Sequence, residues 1–168
     1  MYKAMDIAQY IINYAIQLGK PVSNLKLQKL LYYVQAALLL ESEDSCIVEE
    51  IYNWRHGPVI EDVYREYKTY GSRAIENIQR GYSSYEFDDD LNFVKKEYDF
   101  KTQENNISEI DKTIIKDVVD SQIKYDPWTL VDRTHAEDPW KNTTTNQIIE
   151  KESIKEYFRN KQQRIYGE

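Results

Sequence analysis

Between Ser23 and Leu40 the chain reads SNLKLQKLLYYVQAALLL, and no other stretch limits the possible fold as much. Leu27, Leu30, Leu31, Val34 and Leu38 recur at the three- and four-residue spacing of one helical face, and Ala37, Leu39 and Leu40 extend the apolar surface beyond it. A helix apolar around most of its girth must be covered on several sides, so it belongs at the centre of a helical domain, with Ser23 as its N-cap. Candidates for the cover follow from the same periodicity. Residues 6–18 place Ile7, Ala8, Ile11, Ile12, Ala15 and Leu18 on one face, and Gly19 and Pro21 stop that helix. A second cover runs through Ile107, Ile110, Ile114 and Val118, with Ile115, Val119 and Ile123 on an adjacent face and Ser108 as its cap.

Asp126 and Pro127 form a cap and first-position pair that starts the short helix DPWTLVDRTH. A last helix over residues 151–163 turns Ile154, Tyr157, Phe158 and Ile165 inward, leaving Lys155, Arg159, Lys161 and Arg164 toward solvent. Residues 41–50 read as an acidic linker, and IYNW as a short strand or turn leading to Gly57 and Pro58. Proline is pre-set for a first helical position, so a helix is expected to begin there and run through Val59, Val63 and Tyr67 to Gly71. Residues 72–104 read as irregular, and the polar run KNTTTNQ as a loop. With no internal repeat, the expected fold is mainly α: one compact helical domain over residues 1–168 with at most a minor β-hairpin.

Composition narrows the function classes. The single cysteine, Cys46, excludes a disulfide framework and a Cys-rich zinc module, which points to a reducing, cytoplasmic home. No apolar run approaches the ~18–20 residues of a membrane span, so no membrane partner is expected. Twenty-nine acidic against 22 basic residues give a net charge of -7, a field that disfavours nucleic acid and suits a basic protein partner. Fifteen tyrosines fit half-buried positions in a thin helical fold, and equally the anchors of a binding surface.

The enzyme templates fail one by one. His56 and His135 are the only histidines and sit in no helix-borne zinc spacing; His135 with Asp138 is the one local pair of ligand type. No glycine-rich phosphate cradle occurs among the five glycines. Cys46 lies among carboxylates that suppress a thiolate, and the run Asp88, Asp89, Asp90 lacks the spaced ligands and turn glycine of a cation loop. The expectation is therefore a non-enzymatic protein with no catalytic residue, metal or cofactor. In SNLKLQKLLYYVQ, Lys26, Lys29 and Tyr33 share one helical side, and Gln28, Tyr32 and Gln35 another. Such side chains either lay their stems over the core or form a recognition face for a partner segment.

Three blocks, in order, resemble a known family: Asn24 to Tyr32 (NLKLQKLLY); Trp54 with Gly57-Pro58-Val59 and Tyr64; and Leu130 with Thr134-His135 and Pro139-Trp140. They resemble the Panacea domain, an antitoxin family with SocA-like and phage GepA-like members, over about residues 5–160. The resemblance implies a mainly helical domain that neutralises a co-encoded toxin by binding it, or an adaptor that delivers the toxin to a AAA+ protease. It implies no catalytic residues. A small metal-dependent hydrolase using His135, His56 and acidic residues is the rival from another class. Within the blocks the apolar residues, with Trp54, Trp128 and Trp140, read as core. The polar members Lys26, Gln28, Lys29, Arg55 and His56 read as a surface groove near the Trp54 turn, with Tyr33 and Tyr64 as aromatic anchors.

Overall fold

The computed structural model describes residues 1–42 and 46–167. Its axis is helix α2 (Asn24–Glu41), in which every residue from 27 to 38 is buried. The apolar girth of α2 explains its position, since no face of it can be left to water. Its covers are α1 (Ala4–Gln17), α5 (Glu109–Gln122), α6 (Pro127–His135), α8 (Lys151–Arg159) and α9 (Gln163–Tyr166). The expected caps are in place: Ser23 accepts from Lys26 N, Ser108 from Asp111 N, and Asp126 from the backbone of Trp128 and Thr129. Each satisfies a donor that the first helical turn would otherwise orphan, worth typically ~1 kcal/mol. At the middle of the bundle Tyr32, Tyr33 and Phe158 pack edge to face with centroids 5.4 to 6.0 Å apart. These rings organise the core in place of the tryptophans, of which Trp54 and Trp140 are half-buried and Trp128 is exposed.

Two antiparallel hairpins complete the fold: β1 (Tyr52–Trp54) with β2 (Gly57–Val59), and β3 (Gly81–Phe87) with β4 (Phe93–Asp99). Helix α3 (Glu61–Tyr67) follows the first and α4 (Phe100–Asn106) the second, while the short α7 (Asp138–Lys141) joins α6 toward α8. The non-helical backbone is held by buried amide side chains. Asn13 donates to Gln79 O and accepts from Gln79 N, Gln9 donates to Gly81 O, and Gln35 pairs with both backbone groups of Ile47. Asn53 donates to Trp140 O and Thr143 O, and Gln122 to the carbonyls of Arg164 and Ile165. Buried backbone groups need partners, and here carboxamides on α1, α2, α5 and β1 supply them.

Three expectations are corrected. Pro58 opens no helix: it lies in β2, which turns back on β1 through Arg55 and His56, and α3 starts only at Glu61. Gly57, at φ +97°, sets that turn, and proline is tolerated there because β2 is an edge strand. Residues 81–99 are ordered strands and not irregular chain; aromatics at alternating positions on both faces hide the period-two signal of YSSYEF. The last helix breaks at Asn160 and resumes as α9, turning Arg164 inward and away from solvent. The acidic-linker assignment for residues 43–45 lies outside the described residues.

Candidate interaction site

Hairpin β1–β2 rests on the first half of α2, and the polar residues of the NLKLQK block face it from below. Asn24 Nδ2 donates to Tyr64 O at 3.0 Å, and Gln28 Oε1 accepts from Ile60 N at 2.9 Å while its Nε2 donates to Asn24 at 3.1 Å. Lys29 is fully buried and donates to Pro58 O at 3.0 Å. With no carboxylate against it, burial pulls its pKa down to about 7. A Cβ on Gly57 would lie 2.7 Å from Lys29 Cε and 2.8 Å from Thr134 Oγ1, so this glycine is what lets the turn seat on the lysine.

The solvent-facing groove expected of Gln28, Lys29 and Tyr33 is therefore corrected. All three are interior: Lys29 and Gln28 serve backbone groups of Pro58 and Ile60, and Tyr33 reaches a buried carboxylate. Tyr33 donates to Glu137 Oε1 at 3.0 Å, and the same fully buried carboxylate accepts from Arg164 Nε at 2.9 Å. Desolvation raises the Glu137 pKa despite the opposing pull of Arg164. Lys26 is half-buried; its ammonium donates to Ile123 O at 2.6 Å, and burial lowers its pKa.

Above this clamp the hairpin presents an aromatic and basic rim. Trp54, half-buried, packs edge-on against exposed Tyr64 with centroids 4.9 Å apart. Arg55 and His56 project from the turn, and His56 meets the edge of Trp128 at 5.3 Å. Behind them Trp140 Nε1 donates to Trp54 O at 3.1 Å, and its ring stacks on His135 at 3.8 Å. Burial lowers the His135 pKa, with Lys29 adding to the effect. The structure thus brings Trp54, Arg55, His56 and Tyr64 together at the surface and adds Trp128, which is 58% exposed and was read as core. Its place could have been found from the Asp126–Pro127 start. Helical side chains lean toward the N-terminus, so a first-turn tryptophan overhangs the helix end.

Charge-assisted recognition and aromatic anchoring are what such a rim can perform. Both histidines are engaged with indole rings, and among the described residues no three His, Cys, Asp or Glu side chains gather as a metal-binding group. No described helix is long and apolar enough to cross a membrane.

Comparison with known proteins places the chain. The family model described as "Antitoxin SocA-like, Panacea domain" matches residues 27–141, which include α2 from Leu27 onward, both hairpins, α6 and the Trp140 turn. A curated relative, Antitoxin SocA of Caulobacter vibrioides (strain NA1000 / CB15N), is 34% identical over 74 residues, which cover 44% of this chain and 39% of that protein. The match thus spans well under half the length of this relative. No solved structure matches. With a family model matching more than half of it, the chain belongs to the SocA-like Panacea-domain antitoxin family.

Proposed function

We propose that this protein is the antitoxin of a toxin–antitoxin pair and neutralises a co-encoded toxin by binding it directly, without catalysis. The family match over residues 27–141 carries the reading. The rim of Trp54, Arg55, His56, Tyr64 and Trp128 is the contact surface: exposed rings and a guanidinium on a turn that buried side chains hold rigid. Anchors on a rigid base lose little entropy on binding. The net charge of -7 steers a basic toxin toward the protein at long range, so association should slow as salt rises, while dissociation depends on the anchors, with Arg55 meeting an aromatic face or a carboxylate of the toxin.

Co-expression with the product of the adjacent reading frame is the test, read as rescue of growth and as co-purification. Arg55→Glu combined with Trp128→Ala, checked for unchanged melting, should lose rescue; full rescue by the folded variant would place the contact elsewhere. Charge reversal at Lys29 is no substitute, because it would bury an unpaired anion. Toxin level during rescue separates the mechanisms. A constant level means sequestration, and a level that falls only with an active AAA+ protease means delivery for degradation.

A further inference from the structure

Hairpin β3–β4 carries an apolar face that none of the described residues covers. Tyr85, Phe87 and Phe93 are 63%, 65% and 64% exposed, and Leu91 at the turn is 79% exposed. Tyr85 stacks on Phe93 at 5.3 Å and Phe87 leans on Phe93 at 5.5 Å, so the three rings form one patch. Strand alternation puts them on one side, since Phe87 pairs with Phe93 and Tyr85 lies two residues along. The other side is tied to the body: Glu86 and Tyr98 are bound by Lys3, and Tyr82 donates to Asp6. Solvent-facing apolar patches of this kind mark interaction surfaces. Leu91 holds φ +62°, a region where glycine or asparagine would cost less, yet it keeps its side chain in water.

Charge around the patch identifies its occupant. At the turn Asp88 accepts from the backbone of Asp90 and Asn92, which leaves Asp89 and Asp90 exposed beside Leu91. At the other end Tyr85 lines a cleft of about 440 Å³ between β3 and α3, whose charged lining is Lys3 and Arg65 with Glu49, Asp62, Glu66 and Glu86; Glu86 is held by lysines and Glu49 by Ala4 N, which leaves Asp62 and Glu66 exposed at its mouth. The nearby cations are already engaged: Lys3 and Lys96 with Glu86, Lys95 with Glu97, and Arg65 with Glu61. Beyond the β3–β4 pairing itself, neither strand is joined to a third among the described residues, so backbone edges are open.

We propose that this face is a second docking surface, receiving an extended basic segment of the toxin. The segment's apolar side chains cover Tyr85, Phe87, Leu91 and Phe93, and its cations meet Asp89 and Asp90 at the turn and the exposed Asp62 and Glu66 at the cleft. A second copy of this chain fits less well, because pairing two such faces sets acidic turns and clefts against one another. The inference rests on the antitoxin reading, and the experiment separates the two.

The full chain is titrated with the purified product of the adjacent reading frame, for wild type, Phe87→Ser/Phe93→Ser, Asp89→Lys/Asp90→Lys and Leu91→Gly. The phenylalanine pair should weaken binding at least ~10-fold, as expected for central aromatic anchors. The lysine pair should slow association at low salt, with the difference fading at high salt. Were the serine variant to melt early, the lysine and glycine variants, confined to the turn, decide the matter. Wild-type affinity in all variants overturns the docking surface and leaves the antitoxin reading standing; no binding by wild type overturns that reading and this one with it. A concentration-dependent dimer abolished by Phe87→Ser/Phe93→Ser would also overturn the proposal, giving the face to a second copy.

Discussion

The two hairpins solve the same chemical problem in opposite ways. β1–β2 has strands of three residues, too short to hold themselves, and Gly57, Pro58 and Val59 are all buried. An isolated two-stranded ribbon is marginal at best in water, so this one depends on Lys29 and Gln28 for partners to its backbone and on its own Asn53 to tie it to Trp140 O and Thr143 O. β3–β4 has strands of seven residues, makes its own ladder and attaches by one face only, through Lys3, Asp6 and Gln9. Its other face is free to carry rings that no core claims. Buried polar clamps and not strand length make a turn rigid, and self-sufficiency lets the longer ribbon expose what it exposes. Damage to the first hairpin should therefore register as stability, and damage to the second as binding.

The largest expected effect is at Gly57. Alanine there would take φ +97° and drive a methyl within 2.8 Å of a fully buried lysine, which combines backbone strain with overpacking. A loss of roughly 3–5 kcal/mol is expected, lowering the thermal midpoint by about 6–20 °C. If Gly57→Ala melted within a degree or two of wild type, the tip would not be seated on α2 and the contrast would fail.

Lys29 sharpens it through pH. Its pKa is about 7 in the folded protein against an ordinary 10.5, so between these values the unfolded chain holds a proton that the native state lacks. Stability contributed by this site therefore rises with pH, by about 1.4 kcal/mol per unit, from 7 toward 10.5; the full penalty stands below 7 and vanishes above 10.5. Lys29→Met removes the titration, and the loss of the Pro58 O partner is independent of pH. Urea melts at pH 7.5 and 9.5 should show wild type gaining roughly 2–3 kcal/mol relative to the variant. An unchanged difference would mean that the amine keeps its proton in the fold.

Much of the helical frame was legible because it follows from spacing and caps. The apolar girth of α2 and the oxygen-bearing side chains at Ser23, Ser108 and Asp126 act locally, and local signals survive in a sequence. The hairpins were obscured for physical reasons. Pro58 satisfies the rule for a helix start and the rule for an edge strand equally well, and only the lysine beneath it decides. In the candidate site the polarity of the motif misled. Gln28 and Lys29 read as surface because amides and amines usually are, yet they bond backbone that the sequence does not reveal as a neighbour. Tyr33, read as a surface anchor, is buried like them, and Trp128, read as core, reaches solvent. Trp54, Arg55, His56 and Tyr64 fell together because a tight turn and the helix after it bring them there.

A smaller effect is expected at Gln28, which supplies one bond to the hairpin's exit. Gln28→Ala leaves Ile60 N and Asn24 without their partner inside the protein, at a cost of about 1–3 kcal/mol. Gln28→Glu distinguishes the bond from the volume: it keeps the acceptor for Ile60 N but buries a charge in place of a donor. Thermal melts should rank wild type above alanine, and glutamate should approach wild type only when the pH is low enough to protonate it. A glutamate variant as stable as wild type at neutral pH would mean that water reaches this position.

The smallest effect on stability belongs to the other hairpin, at Leu91. Glycine there relieves the cost of φ +62° but adds freedom to the unfolded chain, and the two changes nearly cancel. The net shift should stay below ~1 kcal/mol, and no core contact is lost because the side chain is 79% exposed. The same substitution removes the apolar tip of the proposed docking face, so affinity for the toxin should fall although the fold does not suffer. The contrast with Gly57 is then complete, one variant destabilising the protein and the other leaving its stability intact but making it less able to bind. Should Leu91→Gly instead melt several degrees lower, the exposed hairpin would be part of the cooperative fold, and its open face could no longer be read as a surface the protein keeps for a partner.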